Sequence, residues 1–117
     1  MAAHNELGKR GEDLAAEFFR KKNHIILNRN WRMGNHEIDL ITIHNKVLHF
    51  IEVKTRSAKK FGFPEDSVNK TKFRFLKYAA SSYLNIHGGF NQIQFDILSI
   101  NIVGEEHECF LIEDVFW

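Results

Sequence analysis

The chain has 117 residues, 44% of them hydrophobic and 26% charged, with a net charge of +1. That suits one domain spanning 1–117 with a single core, and it excludes a disordered chain and a membrane-spanning one, since no apolar run approaches roughly 20 residues. A lone Cys109 excludes an internal disulfide, and a start of Met-Ala-Ala-His-Asn-Glu lacks the ordered regions of a signal peptide, so a soluble protein of the cytoplasm is expected.

From about Glu6 to Lys22, residues Leu7, Gly11, Leu14, Ala15, Phe18 and Phe19 recur at spacings of three and four, which predicts an amphipathic helix with Asn5 as its cap. Three β-rich runs follow, His24–Trp31, Glu37–His44 and Val47–Lys54. Met33-Gly34-Asn35 and Asn45-Lys46 separate them as turns, so they read as a meander. Pro64-Glu65-Asp66-Ser67 has the form of a helix start, and Leu76, Ala79, Ala80, Tyr83 and Leu84 carry a second helix to the stop at Gly88-Gly89. Two alternating runs, Gln92–Ile102 and Glu108–Phe116, close the chain as strands. Helix, three strands, helix, two strands predicts a small α/β sandwich. Trp31 and Trp117 lie in or beside strands, where an aromatic is expected in the core, and Cys109 is expected as a buried inert thiol.

The charges are segregated. Between Lys54 and Lys77 stand eight basic residues against Glu65 and Asp66, whereas Glu105, Glu106, Glu108, Glu113 and Asp114 follow Asn101 without a lysine or arginine. One side of the molecule should be positive and suited to a polyanion, although a solvated lysine-rich helix face has the same composition.

If Asn45-Lys46 is a two-residue hairpin turn, Asp39 falls opposite Glu52, Glu37 opposite Lys54, and Ile41 opposite Phe50, all on one face. Facing side chains begin about 5 Å apart at Cβ, and two carboxylates that close resist ionising together unless a cation lies between them. Mg²⁺ or Mn²⁺ fits an all-oxygen set of this kind, with the Val53 carbonyl as a further ligand. The seven histidines show no zinc spacing. Lys54, two residues beyond Glu52, reaches the same face, where its ammonium can meet a water nucleophile or a phosphate. Together these groups answer the needs of phosphodiester hydrolysis. The same residues also fit an exposed strand face with ordinary salt bridges, and a turn one residue longer would send Asp39 and Glu52 to opposite faces.

Glu37-Ile-Asp-Leu-Ile41 followed by Phe50-Ile-Glu-Val-Lys-Thr-Arg56 resembles the core of the PD-(D/E)XK nuclease superfamily. With Gly8-Lys-Arg-Gly-Glu12, Asn28-Arg-Asn-Trp-Arg32, Phe61-Gly-Phe-Pro64 and Phe95-Asp-Ile97, the chain resembles the YraN family of that superfamily over nearly its whole length. The resemblance implies a restriction-endonuclease-like αβββαββ core, in which a mixed five-stranded sheet is flanked by two helices. It implies a metal-dependent endonuclease acting on DNA, branched or structured DNA in particular, with Asp39, Glu52 and Lys54 as its catalytic set and Glu12 joining from the first helix. Arg56, Lys70, Lys72 and Arg74 are the expected phosphate contacts, and a homodimer would bring two sites to two strands. A fold-retaining, non-catalytic DNA-binding module is the alternative. Where relatives commonly carry glycine before Glu-Ile-Asp, this chain carries His36, which alters the local turn and leaves the carboxylates in place.

Overall fold

The computed structural model describes the backbone of residues 2–57 and 70–115 and the side chains of 6–57 and 74–115. Helix α1 spans Ala2–Lys21 and is followed by β1 Ile25–Met33, β2 His36–His44, β3 Val47–Ser57, α2 Lys70–Ile86, β4 Gln92–Val103 and β5 Glu106–Ile112. The strands form one sheet in the order β1-β2-β3-β4-β5, antiparallel except for the parallel pair β3 and β4 that α2 connects. This is the mixed five-stranded αβββαββ arrangement. Among the described residues no helix is long and apolar enough to cross a membrane.

Each helix covers one face of the sheet, because each sheet face is apolar where a helix stripe meets it. Ala15 and Phe19 of α1 pack on Leu40, Ile51, Leu98, Ile100 and Ile102. Leu76, Ala79, Ala80 and Tyr83 of α2 pack on Ile38, Ile41, Phe50 and Ile97. Trp31 meets the ring of Tyr83 edge to face at 5.3 Å, and the Tyr83 hydroxyl donates to Asn28 Oδ1 at 2.9 Å, so Trp31 belongs to the core as expected. Cys109 is half-buried, and burial raises its thiol pKa, in keeping with an inert role. Trp117 and the Pro64-Glu65-Asp66-Ser67 helix start lie outside the described residues.

Asn5 does not cap α1. The helix already begins at Ala2, since the preceding alanines are strong helix formers, and Asn5 falls inside it. The β2–β3 hairpin turns on Asn45 and Lys46, with φ of 51° and 67°, the two left-handed positions of a type I′ turn. It sets the register Leu40↔Ile51 through His44↔Val47. In β1 the ladder shifts between Ile26 and Asn28, and Asn30 takes a φ of 52°.

Candidate active site

The ordered ladder between β2 and β3 stops at Leu40↔Ile51, and the side chain of Asp39 takes over where it ends. The Val53 N–H donates to Asp39 Oδ2 at 2.8 Å, a bond that draws this carboxyl into the gap between the strands. Alternation in β2 breaks at the same point. Leu40 packs toward α1, whereas Ile38 packs toward α2. Asn30, with its left-handed backbone, stands across from Asp39 between Arg29↔Leu40 and Trp31↔Ile38. The strand irregularity therefore sits at the residue of chemical interest, as bulges beside functional sites do.

Asp39 and Glu52 line one cavity of about 220 Å³ together with Asn35, His36, Glu37, Phe75 and Leu76. Its walls come from the β1–β2 turn, from β2 and β3, and from the apolar side of α2. The His36 ring lies 5.3 Å from that of Phe75 and 5.8 Å from that of Tyr78, so His36 packs against α2 at the rim. Burial pushes the Asp39 carboxyl up to about 8, and the neighbouring Glu52, by its charge and by hydrogen bonding, pushes in the same direction against the Val53 N–H. Asp39 therefore holds a proton at neutral pH while Glu52 stands beside it. The sequence-based convergence of the two carboxylates is present in the fold.

The other expected residues stand on β3, α1 and α2. Lys54 is half-buried two residues along β3 from Glu52, and Arg56 is half-buried two residues further. The expected partnership of Glu37 with Lys54 does not form in the ladder. Glu37 instead pairs with Arg32 of β1, with Arg32 Nη2 3.3 Å from its Oε2, because β3 no longer pairs with β2 beyond Ile51. Glu12 is half-buried on α1 next to Gly11, where α1 comes closest to β3 at Thr55, and it is not among the residues lining the Asp39 cavity. Arg74 is exposed on α2, immediately before the cavity residues Phe75 and Leu76. Lys70 and Lys72 occupy the first turn of α2, and their side chains lie outside the described ones.

Sequence reading did not find Asn35, His36, Phe75 or Leu76 as cavity walls. The helical stripe shows that Leu76 faces inward, but which strand end it covers depends on how the α2 crossover returns to the sheet.

The family model for Uncharacterised protein family UPF0102 matches residues 11–100. A UPF0102 protein of Flavobacterium johnsoniae is 42% identical, the match covering 100% of this chain and 98% of the relative. A Flavobacterium psychrophilum relative is 40% identical over 100% of this chain and 98% of its own length. One from Clostridium perfringens is 38% identical over 94% and 93%.

Proposed function

The chain belongs to the uncharacterised protein family UPF0102, the YraN family, and from its paired carboxylates we propose that it is a metal-dependent endonuclease hydrolysing phosphodiester bonds of DNA, branched or structured DNA above all. The observation that supports this reading is a carboxyl group held protonated at neutral pH by burial and by a second carboxylate in the same cavity. Two partly buried acids side by side destabilise a protein that does not use them, and an oxygen-seeking dication relieves the conflict by replacing the shared proton.

The donors fit Mg²⁺ or Mn²⁺: Asp39 and Glu52 offer carboxylate oxygens. A strand residue directs its N–H and C=O to the same side, so the Val53 carbonyl is turned toward the gap into which its N–H binds Asp39. When bound, such an ion supplies Lewis-acid polarisation of a phosphate oxygen and acidifies a water. The chain's own residues do the rest. Lys54 places an ammonium on the strand of Glu52, where it stabilises charge building on the phosphoryl group or lowers the pKa of the attacking water. Phe75 and Leu76 give the carboxylate pair an apolar wall. Arg56, Lys70, Lys72 and Arg74 hold the backbone phosphates that fix the register of the duplex. We further propose that the protein works in the cytoplasm, and that two copies act together when both strands are cut.

The test is cleavage of duplex, single-stranded, flap and four-way-junction DNA in Mg²⁺ or Mn²⁺ by the wild type, Asp39→Asn and Lys54→Ala, purified identically. Cleavage by the wild type should require metal, vanish in Asp39→Asn and fall roughly 100-fold or more in Lys54→Ala. Identical behaviour of wild type and Asp39→Asn on every substrate, with salt-dependent binding intact, would leave a DNA-binding module without catalysis.

A further inference from the structure

At the other end of the sheet, on the face covered by α1, three histidines meet that lie far apart in sequence. His24 follows α1 and leads into β1, His44 ends β2, and His49 is the third residue of β3. The type I′ hairpin puts His49 across from Thr42, one diagonal step from His44 on the same face. The pairing of Ile25 with Ile43 brings His24 alongside them. The His24 and His44 rings stack at 4.5 Å, the His24 and His49 rings meet at 4.6 Å, and each residue offers a ligand nitrogen within 4.8 Å of the others.

Two of the rings are already oriented from behind. His49 Nδ1 donates to Asp96 Oδ2 at 2.7 Å, leaving the Nε2 lone pair to point elsewhere. Asp96 is 1% exposed, and its other oxygen accepts from Gln94 Nε2 and from the Asp114 N–H, each at 2.9 Å. His24 Nδ1 is hydrogen-bonded to Thr42 Oγ1 at 2.7 Å, which likewise leaves Nε2 as its available ligand atom. A buried carboxylate behind a histidine whose far nitrogen is free is the arrangement that fixes tautomer and ring direction at metal sites. The three rings border a cavity of about 410 Å³ that also touches Lys22, Asn45, Val47, Gln94 and Glu113. Lys22 does not block it, since its Nζ sits over the Phe18 ring, 5.3 Å from the centroid.

We propose that His24, His44 and His49 form a second metal site, selective for a nitrogen-seeking transition-metal dication such as Zn²⁺. Imidazole donors suit zinc and its late first-row neighbours and not Mg²⁺, so the site differs in chemistry as well as place from the Asp39 pair. Zinc–nitrogen bonds of 2.0–2.1 Å put tetrahedral ligands roughly 3.4 Å apart, so the rings close by about an ångström on binding. Three protein ligands leave a fourth position open to the cavity. The bound ion ties the end of α1 to the β2–β3 hairpin. This inference is independent of nuclease activity.

The experiment uses tag-free, chelator-treated protein in excess Mg²⁺, titrated with Zn²⁺ by calorimetry and with Co²⁺ by visible absorption. The wild type should take one equivalent of Zn²⁺ at micromolar or lower Kd and show Co²⁺ bands with nitrogen ligation. His44→Ala and His44→Gln should each weaken Zn²⁺ by at least ~10-fold, and Asp39→Asn should leave it unchanged. Imidazole ¹⁵N shifts of the wild type supply the readout should a variant not fold: all three histidines must shift on Zn²⁺ addition. No wild-type binding tighter than ~0.1 mM, equal affinity in the His44 variants, loss in Asp39→Asn, or unmoved imidazole nitrogens would overturn the proposal.

Discussion

Asp39 is where stability and function oppose each other. An ordinary aspartate loses its proton near 3.8, and in this fold the value is about 8 because of burial and Glu52. Below pH 4 both folded and unfolded chains carry the proton. Between pH 4 and 8 the unfolded chain releases it and the folded chain keeps it, so the folded state binds more protons and this group's contribution to stability falls as pH rises. Above pH 8 the loss is complete. Asp39→Asn keeps an acceptor for the Val53 N–H and a donor for Glu52 without a titrating group. We expect the variant to match the wild type near pH 4 and to exceed it in Tm by pH 8. A gain of about 1 kcal/mol would read as roughly 4 °C. Adding Mg²⁺ should narrow the gap at pH 8 by stabilising the wild type alone. A Tm difference that stays flat between pH 4 and 8 would refute the raised pKa, whatever the cleavage assays show.

At the scale of elements, the approach of α1 to β3 is set by a missing side chain. A β-carbon built on Gly11 would collide with the Thr55 side chain, so glycine lets the helix lie against the strand one residue before Glu12. Alanine improves helix propensity by about 1 kcal/mol, but overpacking costs about 1–3 kcal/mol, and the overlap here involves several Thr55 atoms. Gly11→Ala should therefore destabilise the fold by about 1 kcal/mol in urea melts, and adding Thr55→Ala should recover part of the loss. A stabilised Gly11→Ala protein would mean that α1 shifts freely. The helix stripe exposes Gly11 to a reader of sequence as an inward position, and local patterns likewise give the order of elements, the hairpin and its register. What local pattern cannot supply is geometry set by irregular backbone. The break of alternation at Asp39 lies across from Asn30, and the β2–β3 ladder ends before Glu37, which pairs with Arg32 of β1. The same limit hid the histidine cluster. His44 and His49 flank a legible turn, but His24 joins them only through a strand whose register shifts between Ile26 and Asn28.

For the whole molecule, the distribution of charge bears on the proposed binding of DNA. Of the basic residues of 54–77, Lys54 and Arg56 stand on β3, Lys70 and Lys72 begin α2, and Arg74 stands exposed beside the cavity residues Phe75 and Leu76. The acids Glu105 and Glu106 lie exposed at the β4–β5 turn, between the strands farthest from β2. Across the sheet, this field is expected to draw a duplex to the β2 and α2 side and away from the β5 edge. Each phosphate neutralised releases condensed counterions, contributing about −0.9 to the slope of log affinity against log salt concentration. Lys72→Ala or Arg74→Ala should thus weaken binding of every DNA sequence alike and reduce that slope by about 1. Glu105→Gln should leave the slope unchanged. Fluorescence anisotropy across a range of salt concentrations, on catalytically silent Asp39→Asn protein, isolates binding from cleavage. Slopes unaltered by both α2 substitutions would place the DNA on another face, and with it the claim that the carboxylate cavity meets the phosphodiester would fail.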